Sequence, residues 1–464
     1  MKHMPTETAF KYLNEVRFMT LANWSVGAIL SDKVIYKDGF KLEPIGNLIL
    51  RNREKEILED NKAYKQVTIK LYGKGVIQRG DELIFGKDIG TKNQFRISEG
   101  QFIMSKIDAR NGAFGIVPAE LEGAITTQDF LSYNINTEKI LPEFFNLVTG
   151  TKHFAELCRK ASSGTTGRQR VDEKAFLGFR IPVPRIELQK KIIQRYVDNI
   201  NLAIKYEKQS IDLENSIQEI IYNELGILKA GKKSSDKKFQ LIDYSSITFW
   251  GVDKILNKES FSSSKFETVD LDSRPTLYLN IFRGKSPKYD ANGTKIILNQ
   301  KCNRWNSIEL EHAKTVNDKW FNNVDSKLLS EQNDIIINST GEGTIGRASL
   351  ITPGFEGLLI DSHMLLLRTN NEVLSPRYLV HIINSDYGQR QIESLKSAKS
   401  TKQTELGVQN LKRIQFPLPD IKIQLAIAKQ IEDKSQSAID CKVLSETHKN
   451  IALEQFESAI FNID

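Results

Sequence analysis

Two stretches of the chain carry apolar residues at helical spacing over an unusual length. The first runs from Arg185 to Leu225 without proline or glycine and stops at Gly226, and the second runs from Asp420 to the C-terminus. Apolar positions recur every three, four or seven residues on one face, and charged residues occupy the opposite face. Both stretches are therefore predicted to be helices of about 40 residues, each roughly 60 Å long.

A helix of that length cannot bury its apolar stripe on one small domain. One alternative is that each helix lies across its own domain. The interpretation we favour is that the two helices pair as an antiparallel coiled coil, because they offer seams of similar length. The residues predicted at this interface are Ile193, Val197, Ile200, Ile204 and Ile211 on the first helix, and Ile427, Ile431, Ala438 and Leu444 on the second.

The two helices end two copies of one longer repeat. A Pro-x-Pro sequence precedes each helix, as Pro182-Val183-Pro184 or Pro417-Leu418-Pro419, and a glutamine follows, as Gln189 or Gln424. Earlier residues match in the same order: Trp24, Phe40, Gly123 and Pro142 correspond to Trp250, Phe266, Gly357 and Pro376. The distance between matched residues drifts from 226 to 235, as loop insertions in two diverged copies would produce.

A mixed segment of short apolar runs, separated by glycine and asparagine, precedes each helix. Ile103-Met104 and residues 334–338 are typical of buried strands, while residues 142–157 and 376–395 show helical patterns that begin at proline. The predicted fold class is therefore mixed α/β (α+β). Its predicted parts are an N-terminal extension at 1–23, for which a helix is one interpretation, a first mixed domain at 24–184, a long helix at 185–228, a charged linker at 229–239, a second mixed domain at 240–419 and a second long helix at 420–464.

Composition excludes several classes of protein. Hydrophobic residues make up 40% and charged residues 27% of the 464 residues, which fits a globular chain of roughly two to four domains. The net charge of +7 permits a polyanionic partner without requiring one. Three scattered cysteines cannot form a disulfide framework, so we expect a reducing, cytoplasmic compartment. No apolar run approaches the ~20 residues of a membrane helix, and Met1 to Met19 lacks the apolar core of a signal peptide.

The residue patterns that usually carry catalysis are missing from the sequence. None of the six histidines lies at metal-ligand spacing from another histidine or from a cysteine. There is no GxSxG elbow, no HExxH helix and no Asn-Pro-Pro or Asp-Pro-Pro loop of a DNA methyltransferase. We therefore expect no catalytic residue, no metal ligand and no bound cofactor in this chain.

One pattern keeps an enzymatic alternative open. Gly341, Gly343 and Gly346 form a literal GxGxxG after a predicted strand, as a dinucleotide site requires. The motif should open a helix, but a second strand-like run follows it, and the other copy keeps only Gly112 and Gly115. A turn between two strands explains both copies. The alternative is a duplicated nuclease or nucleotide-dependent enzyme that uses the Gly341 to Gly346 turn.

Polar, basic loops occur at the same place in both copies, just before the Pro-x-Pro. Small hydroxyls, amides and basic groups suit contacts with phosphates, and Arg and Gln also suit base edges in a major groove. A solvated loop would explain the polarity, but not why it recurs. The predicted DNA-binding residues in these loops are Ser162, Ser163, Thr165, Thr166, Arg168, Gln169 and Arg170 in the first copy, and Lys399, Ser400, Lys402 and Gln403 in the second. Further candidates in turns are Lys106, Arg110, Lys285, Arg304 and Arg347.

These features together resemble one family, the specificity (S) subunits of type I restriction-modification systems. The resemblance covers almost the whole chain. Its most specific parts are the two Pro-x-Pro-to-helix junctions with Gln189 and Gln424, the turn from Gly343 to Arg347, and the two polar loops.

The resemblance implies a function for each part of the chain. Each mixed segment would be a target recognition domain that reads one half of a bipartite site in double-stranded DNA, and the antiparallel helices would be spacers between the two domains. The helices would also bind two modification (methyltransferase) subunits, which carry S-adenosylmethionine and the chemistry, and a restriction subunit can join the assembly. The chain itself would be a non-catalytic specificity subunit.

Overall fold

The computed structural model describes residues 36–71, 73–163, 170–228, 262–398 and 404–462. The predicted extension at 1–23, the predicted linker at 229–239 and the matched tryptophans Trp24 and Trp250 lie outside these ranges. The chain divides into two compact units: unit 1 comprises Met1–Lys205 and Leu444–Asp464, and unit 2 comprises Tyr206–Val443. Each long helix contributes one part of its length to each unit.

Short strands and short helices make up the mixed domain of unit 1. The strands are β1 (Leu42–Pro44), β2 (Ile49–Arg51), β3 (Lys55–Glu56), β4 (Ala63–Tyr64), β5 (Val67–Ile69), β6 (Val76–Gln78), β7 (Ile84–Phe85), β8 (Gln94–Arg96), β9 (Phe102–Ser105), β10 (Phe114–Ile116), β11 (Ile125–Thr127), β12 (Phe130–Ile135), β13 (Ser162–Ser163), β14 (Arg170–Val171) and β15 (Arg180–Pro182). The helices are α1 (Pro142–Thr149), α2 (Lys152–Lys160), α3 (Glu173–Gly178) and the long α4 (Ile186–Leu225).

Unit 2 has the same kind of composition. Its strands are β16 (Thr268–Val269), β17 (Tyr278–Arg283), β18 (Lys295–Leu298), β19 (Lys314–Val316), β20 (Ile335–Asn338), β21 (Ala348–Leu350), β22 (Leu359–Ile360), β23 (Met364–Thr369), β24 (Ser397–Ala398), β25 (Thr404–Glu405) and β26 (Phe416–Pro417). Its helices are α5 (Asp318–Asn322), α6 (Pro376–Asn384), α7 (Asp386–Leu395), α8 (Val408–Lys412) and the long α9 (Ile421–Ile460). The mixed α/β class and the two tandem domains are confirmed.

A four-stranded antiparallel sheet of one topology lies at the centre of each unit. Its strand order is β10-β9-β12-β2 in unit 1 and β21-β20-β23-β17 in unit 2. The predicted strands β9 and β20 are buried along their whole length, as expected for central strands of a covered sheet. The sequence repeat is therefore a repeat of structure.

The segment between the first and second core strands folds differently in the two units. Residues 52–101 connect β2 to β9, and residues 284–334 connect β17 to β20. In unit 1 this segment pairs β8 antiparallel with β11, whereas in unit 2 it pairs β18 parallel with β22. The two units thus share a core sheet and differ in the structure that flanks it.

The helical patterns at 142–157 and 376–395 are each two helices rather than one. In unit 1 the break lies between α1 and α2, where the Thr151 hydroxyl accepts a hydrogen bond from the Phe154 N–H. In unit 2 the Ser385 hydroxyl accepts from the Gly388 N–H at the start of α7. A hydroxyl N-cap favours a new helix start, which apolar periodicity alone does not reveal.

The long helices α4 and α9 run antiparallel within each unit. In unit 1, Ile192 shares a core with Phe456 and Ile460, and further along α4 Asn199 contacts His448. In unit 2, the Ser210 hydroxyl donates to the Ala438 carbonyl at 2.8 Å, and Ile221 shares a core with Ile427 and Ile431. Later residues of α4 therefore meet earlier residues of α9, as predicted.

Most of the aliphatic stripe predicted on α4 lies outside its contact with α9. Val197, Ile204 and Ile211 expose 39%, 58% and 51% of their surface, Ile200 is half-buried, and Ile193 packs on the core of unit 1. The face towards α9 lies beside this stripe and includes the buried residues Ile192, Ala203 and Ser210. Small and polar residues let the helices approach closely, so the seam did not stand out as an aliphatic stripe. On α9, Ile427, Ile431 and Ala438 are buried, whereas Leu444 is exposed and the neighbouring Ser445 is buried. A role of these residues in an interface between subunits stays a prediction.

The Pro-x-Pro sequences form the junction between each sheet domain and its long helix. Proline lacks an N–H, so only the middle residue can donate. The Val183 N–H donates to the Lys41 carbonyl, and the Leu418 N–H donates to the Glu267 carbonyl, both at 2.9 Å. Each Pro-x-Pro therefore pairs with a strand, β1 or β16, and the long helix begins directly after it.

A fully buried glutamine in the first turn of each long helix completes the junction. The Gln189 amide donates to the carbonyls of Lys139 and Pro184, at 3.0 and 2.8 Å, and accepts from the Leu141 N–H at 2.8 Å.

The Gln424 amide makes the same three bonds in unit 2. It donates to the carbonyls of Val373 and Pro419, at 3.0 and 2.8 Å, and accepts from the Ser375 N–H at 2.8 Å. Each amide joins the first turn of the long helix to the Pro-x-Pro and to the turn before a short helix of the domain, α1 in unit 1 and α6 in unit 2. It therefore fixes the start of the long helix to its domain.

We predict that Gln189→Met or Gln424→Met lowers the free energy of unfolding by about 2–4 kcal/mol, because each change leaves buried backbone groups without partners. Urea unfolding followed by circular dichroism measures this. Gln194→Met is the control, since the Gln194 amide bonds only the exposed Asp198 on the same helix and should change stability by less than about 0.5 kcal/mol. If Gln189→Met lowers the free energy of unfolding no more than Gln194→Met does, the buried glutamine does not stabilise the junction.

An ion cluster joins α6 to α9 in unit 2. Glu432 accepts a 2.8 Å hydrogen bond from the Arg377 Nε, and the His381 Nε2 lies 3.6 Å from the same carboxylate. Burial by itself would raise the pKa of Glu432, but the neighbouring His381 and Arg377 lower it from 4.5 to about 2. A carboxyl whose pKa is depressed in the folded state stabilises the fold above its unfolded pKa and loses that effect as the pH falls towards the folded value.

We therefore expect the stability difference between the wild type and Glu432→Gln to be largest above about pH 5 and to shrink as the pH falls below 4.5 towards 2. Urea unfolding of both proteins between about pH 6 and pH 3 isolates this carboxyl, because all other acids titrate in both. A difference that stays constant over this range would contradict the expectation.

Candidate DNA interface

The described residues that flank each polar loop lie at one end of a core sheet. In unit 1 the Lys106 N–H, just after β9, donates to the Asp129 carbonyl, just before β12, and the Lys106 carbonyl accepts from the Val171 N–H of β14. In unit 2 the Ser339 N–H donates to the His363 carbonyl, and the Ser339 carbonyl accepts from the Leu406 N–H. The residues on either side of each polar loop therefore lie at the same end of the same sheet, as the base of a short hairpin.

An ion pair holds the base of each hairpin to the core sheet. The hairpin supplies the cation of the pair in unit 1 and the anion in unit 2. In unit 1 the Arg170 Nε lies 3.3 Å from the Asp129 carboxylate, and both side chains stay accessible to solvent. In unit 2 Arg283 donates to the buried Glu405 carboxylate, and its Nε donates to the Ser362 carbonyl at 2.5 Å. Arg170, predicted as a DNA contact, is thus an exposed cation that already has a partner within the chain.

Most of the predicted loop residues lie outside the described ranges: Thr165, Thr166, Arg168, Gln169, Lys399, Ser400, Lys402 and Gln403. Ser162 and Ser163 form β13, the first strand of the hairpin in unit 1. These residues remain predictions.

The other candidates in unit 1 lie near the hairpin base or on the turn that follows β9. Lys106 is joined by its backbone to both Asp129 and Val171, so it lies beside Arg170. Arg110 occupies the turn Ala109–Asn111, which packs against α2, and its side chain is half-buried. The structure therefore brings Lys106 and Arg170 together.

In unit 2, Arg304 directly precedes an exposed tryptophan, and Arg347 contacts the ring of that tryptophan. Trp305 exposes 45% of its surface, and the Arg347 guanidinium carbon lies 5.5 Å from its ring centroid. The Arg304 Nε donates to the Glu309 carboxylate at 2.8 Å. A large aromatic ring flanked by two arginines suits contact with bases and sugars of nucleic acid.

Buried amides hold this tryptophan loop against the end of β20. The fully buried Asn303 donates to the Asn338 side chain at 3.0 Å and to the Arg347 carbonyl at 2.8 Å, and it accepts from the Ser349 hydroxyl at 2.6 Å. The Asn338 side chain in turn donates to the Gln300 carbonyl. Because these groups satisfy one another inside the protein, the loop presents Arg304 and Trp305 in one conformation.

Lys285 lies on another loop of unit 2. Its N–H donates to the Ile360 carbonyl at 3.1 Å, and it lines a surface groove of about 280 Å³ with Trp320, Asn323 and Asp325. Gly284, just before it, permits this course, since a Cβ there would lie 2.2 Å from the Asp361 carbonyl oxygen. Burial also raises the pKa of the Asp361 carboxyl.

The Gly341 to Gly346 segment is a turn between two strands. Gly341, Gly343 and Gly346 have φ values of 102°, 73° and 83°, in the region that favours glycine. The strands on either side, β20 and β21, pair antiparallel, so no helix follows the turn as a dinucleotide site would need. The structure thus agrees with the interpretation as a turn.

Asp129, Arg283, Trp305 and Glu405 were missed at the sequence level. Asp129 and Glu405 meet their partners 41 and 122 residues away, and no local pattern marks such pairs. The Trp305 pattern, an aromatic residue directly after Arg304, was available in the sequence but was not distinguished from ordinary surface.

The described residues contain neither a metal-binding cluster nor a membrane-spanning helix. No group of three or more His, Cys, Asp or Glu residues within these ranges could hold a metal ion. Within the same ranges no helix is long and apolar enough to cross a membrane.

The sequence matches one family model twice. Residues 38–215 and 279–455 each match the type I restriction modification DNA specificity domain, and together they cover most of the chain. No curated protein matches the sequence.

Solved structures share the fold at low sequence identity. One, from a study of complex assembly and conformational transition of the type I R-M system, has a TM-score of 0.57 at 14% identity and covers 91% of this chain and 98% of its own. The HsdS subunit from Thermoanaerobacter tengcongensis has a TM-score of 0.48 at 14% identity, covering 91% of this chain and 96% of its own. The S subunit from M. genitalium has a TM-score of 0.44 at 10% identity, covering 92% and 98%.

Proposed function

The chain belongs to the type I restriction-modification DNA specificity family, and from this premise we propose that it directs modification subunits to a bipartite DNA site. Each unit would read one half-site. The observation that carries this proposal is the exact recurrence of one assembly: a core sheet, a polar hairpin at its edge, and a buried glutamine that joins the domain to a long helix. Two copies of one DNA-recognition domain suit two half-sites.

Recognition of DNA sequence would rest on the loops at the hairpin end of each sheet. In unit 2 the Arg304 and Trp305 loop is held by buried amides, so it loses little conformational entropy on binding. In unit 1 the half-buried Lys106 and the exposed Arg170 supply positive charge beside the hairpin. The flanking segments 52–101 and 284–334 fold differently, which supports different sequences for the two half-sites.

Methyl transfer would be performed by partner subunits rather than by this chain. The sequence has no Asn-Pro-Pro or Asp-Pro-Pro loop and no Gly-rich strand-turn-helix. S-adenosylmethionine would therefore be bound by two methyltransferase subunits, and a restriction subunit could join the complex.

Exposed aliphatic residues on the long helices would take part in docking these partners. Val197, Ile204 and Ile211 recur every seven residues on one face of α4 and are exposed. On α9 the residue 235 positions after Ile204 is another exposed isoleucine, Ile439. An exposed isoleucine at the same place in both repeats supports two equivalent docking sites, and hence two copies of one partner.

We expect variants at the two interfaces to damage recognition of different half-sites. Arg304→Ala with Trp305→Ala should weaken binding at the half-site read by unit 2, and Arg168→Ala with Arg170→Ala should weaken binding at the other. A lost base contact would cost ~1–3 kcal/mol at one position, and a lost phosphate contact would lower the salt slope by about one. Titration of the complex with DNA altered in one half-site at a time measures both effects.

Arg195→Ala, an exposed arginine on α4, is the matched control and should leave sequence preference unchanged. If both double variants behave like this control, the loops do not contact DNA.

We also expect the helix length to determine the gap between half-sites. Inserting four residues after Ile204 and four after Ile439 adds ~6 Å to both helices and about one helical turn, which keeps their faces roughly aligned. On DNA that rises ~3.4 Å per base pair, the gap should grow by one or two base pairs while both half-site sequences stay the same. Selection of bound sequences from a random pool measures both properties. A changed half-site with an unchanged gap would contradict this role of the helices.

A further inference from the structure

Because the sequence repeats, α4 and α9 resemble each other, and each could in principle pair with the same helix of a second copy of the chain. Residues that face the seam are identical in the two helices: Ile192 and Ile427, Ala203 and Ala438, Ser210 and Ser445 are each 235 positions apart. Two copies of the chain could therefore pair α4 with α4 and α9 with α9. Such pairing would give a closed two-chain assembly in place of a single chain folded on itself.

A polar cluster in unit 1 interrupts this similarity. The Asn199 side-chain oxygen lies 3.0 Å from the His448 Nδ1, so this ring nitrogen donates the hydrogen bond. The Asn199 amide group donates to the Gln455 side-chain oxygen at 3.3 Å and to the Arg195 carbonyl at 3.0 Å. Asn199 and His448 are both partly buried between the two helices.

The repeat has no second copy of this cluster. The positions equivalent to Asn199, His448 and Gln455, again 235 residues away, are Lys434, Leu213 and Ile220. In a pairing of two α4 helices, Asn199 would face Leu213 and Ile220 of the second copy, and its side-chain oxygen would have no partner. In a pairing of two α9 helices, His448 would face Lys434 of the second copy. Only the pairing of α4 with α9 satisfies Asn199.

We propose that Asn199, His448 and Gln455 select the pairing of α4 with α9 of the same chain over pairing with the same helix of a second copy. A polar oxygen partly buried without a partner disfavours the wrong assembly, and two like helices would bury two of them. A single polar residue at a helix seam is known to specify partner and register in coiled coils. This inference does not depend on the DNA-binding function.

The serines at the seam provide a contrast. Ser210 donates to the Ala438 carbonyl, and the equivalent contact would join Ser445 to Ala203. The Ser445 hydroxyl is buried without a hydrogen-bond partner among the described residues. Because serine and alanine recur at both equivalent positions, every pairing places a seam serine opposite a seam alanine, so these residues do not discriminate between pairings.

The test is exchange between two full-length copies that carry different affinity tags. Equimolar copies are unfolded together in urea and refolded, and the fraction of one tag that co-purifies with the other is measured beside the mass in solution. The wild type should refold as one chain of 52.8 kDa with little exchange. Asn199→Leu should increase the co-purifying fraction at least tenfold, because leucine suits the face of a second α4 and leaves His448 unmatched.

Two controls separate pairing choice from general damage. Ser445→Ala alters a buried seam residue and Asn201→Leu makes the same substitution on the exposed face of α4, and both should exchange like the wild type. The swap of Asn199→His with His448→Asn keeps one amide opposite one imidazole, so it should restore low exchange.

Low exchange by Asn199→Leu, free exchange by the wild type, or exchange by the swap equal to that of Asn199→Leu would each overturn the proposal. If Asn199→Leu alone does not refold, His448→Leu takes its place. Its co-purifying fraction should be high and that of the swap low, and equal fractions would overturn the proposal.

Discussion

The structure depends on one buried amide in each repeat. Gln189 and Gln424 each bond the Pro-x-Pro before the long helix and the turn before α1 or α6, so each amide fastens the first turn of the long helix to its domain. The two prolines leave a single N–H in the junction, and that N–H joins a strand. A DNA-reading domain carried on a long helix needs such a joint, because a swivel there would make the position of its loops independent of the helix.

The features that the two units share build the framework, and the features that differ lie where DNA recognition would occur. The core sheet, the hairpin base and the glutamine junction recur in both units, and they supply the framework. The segments 52–101 and 284–334 fold differently, the hairpin ion pairs have opposite polarity, and the Trp305 loop belongs to the segment of unit 2. Sequence recognition can therefore diverge between the two halves without disturbing how the chain is built.

The sequence predicted the parts of the fold that rest on local or repeated patterns. The helix bounds, the strands β9 and β20 and the glycine turn follow from proline, glycine and apolar runs. The seam of α4 could not be recognised in this way, because Ala203, Ser210 and Asn199 lack the aliphatic character of the exposed stripe beside them. The same limit applies to the candidate interface: Lys106 and Arg170 were found as basic residues in turns, whereas Asp129, Glu405 and the amides beneath Trp305 act through long-range contacts.

We propose that two domains of one chain read two half-sites and that partners perform the chemistry. Sequencing of methylated bases in cells that express this chain with a methyltransferase subunit of its own system measures this. We expect methylation at a bipartite motif, two specific halves separated by a gap of fixed length and free sequence, that appears only when both proteins are present. A single uninterrupted motif, or methylation by this chain without its partner, would contradict it.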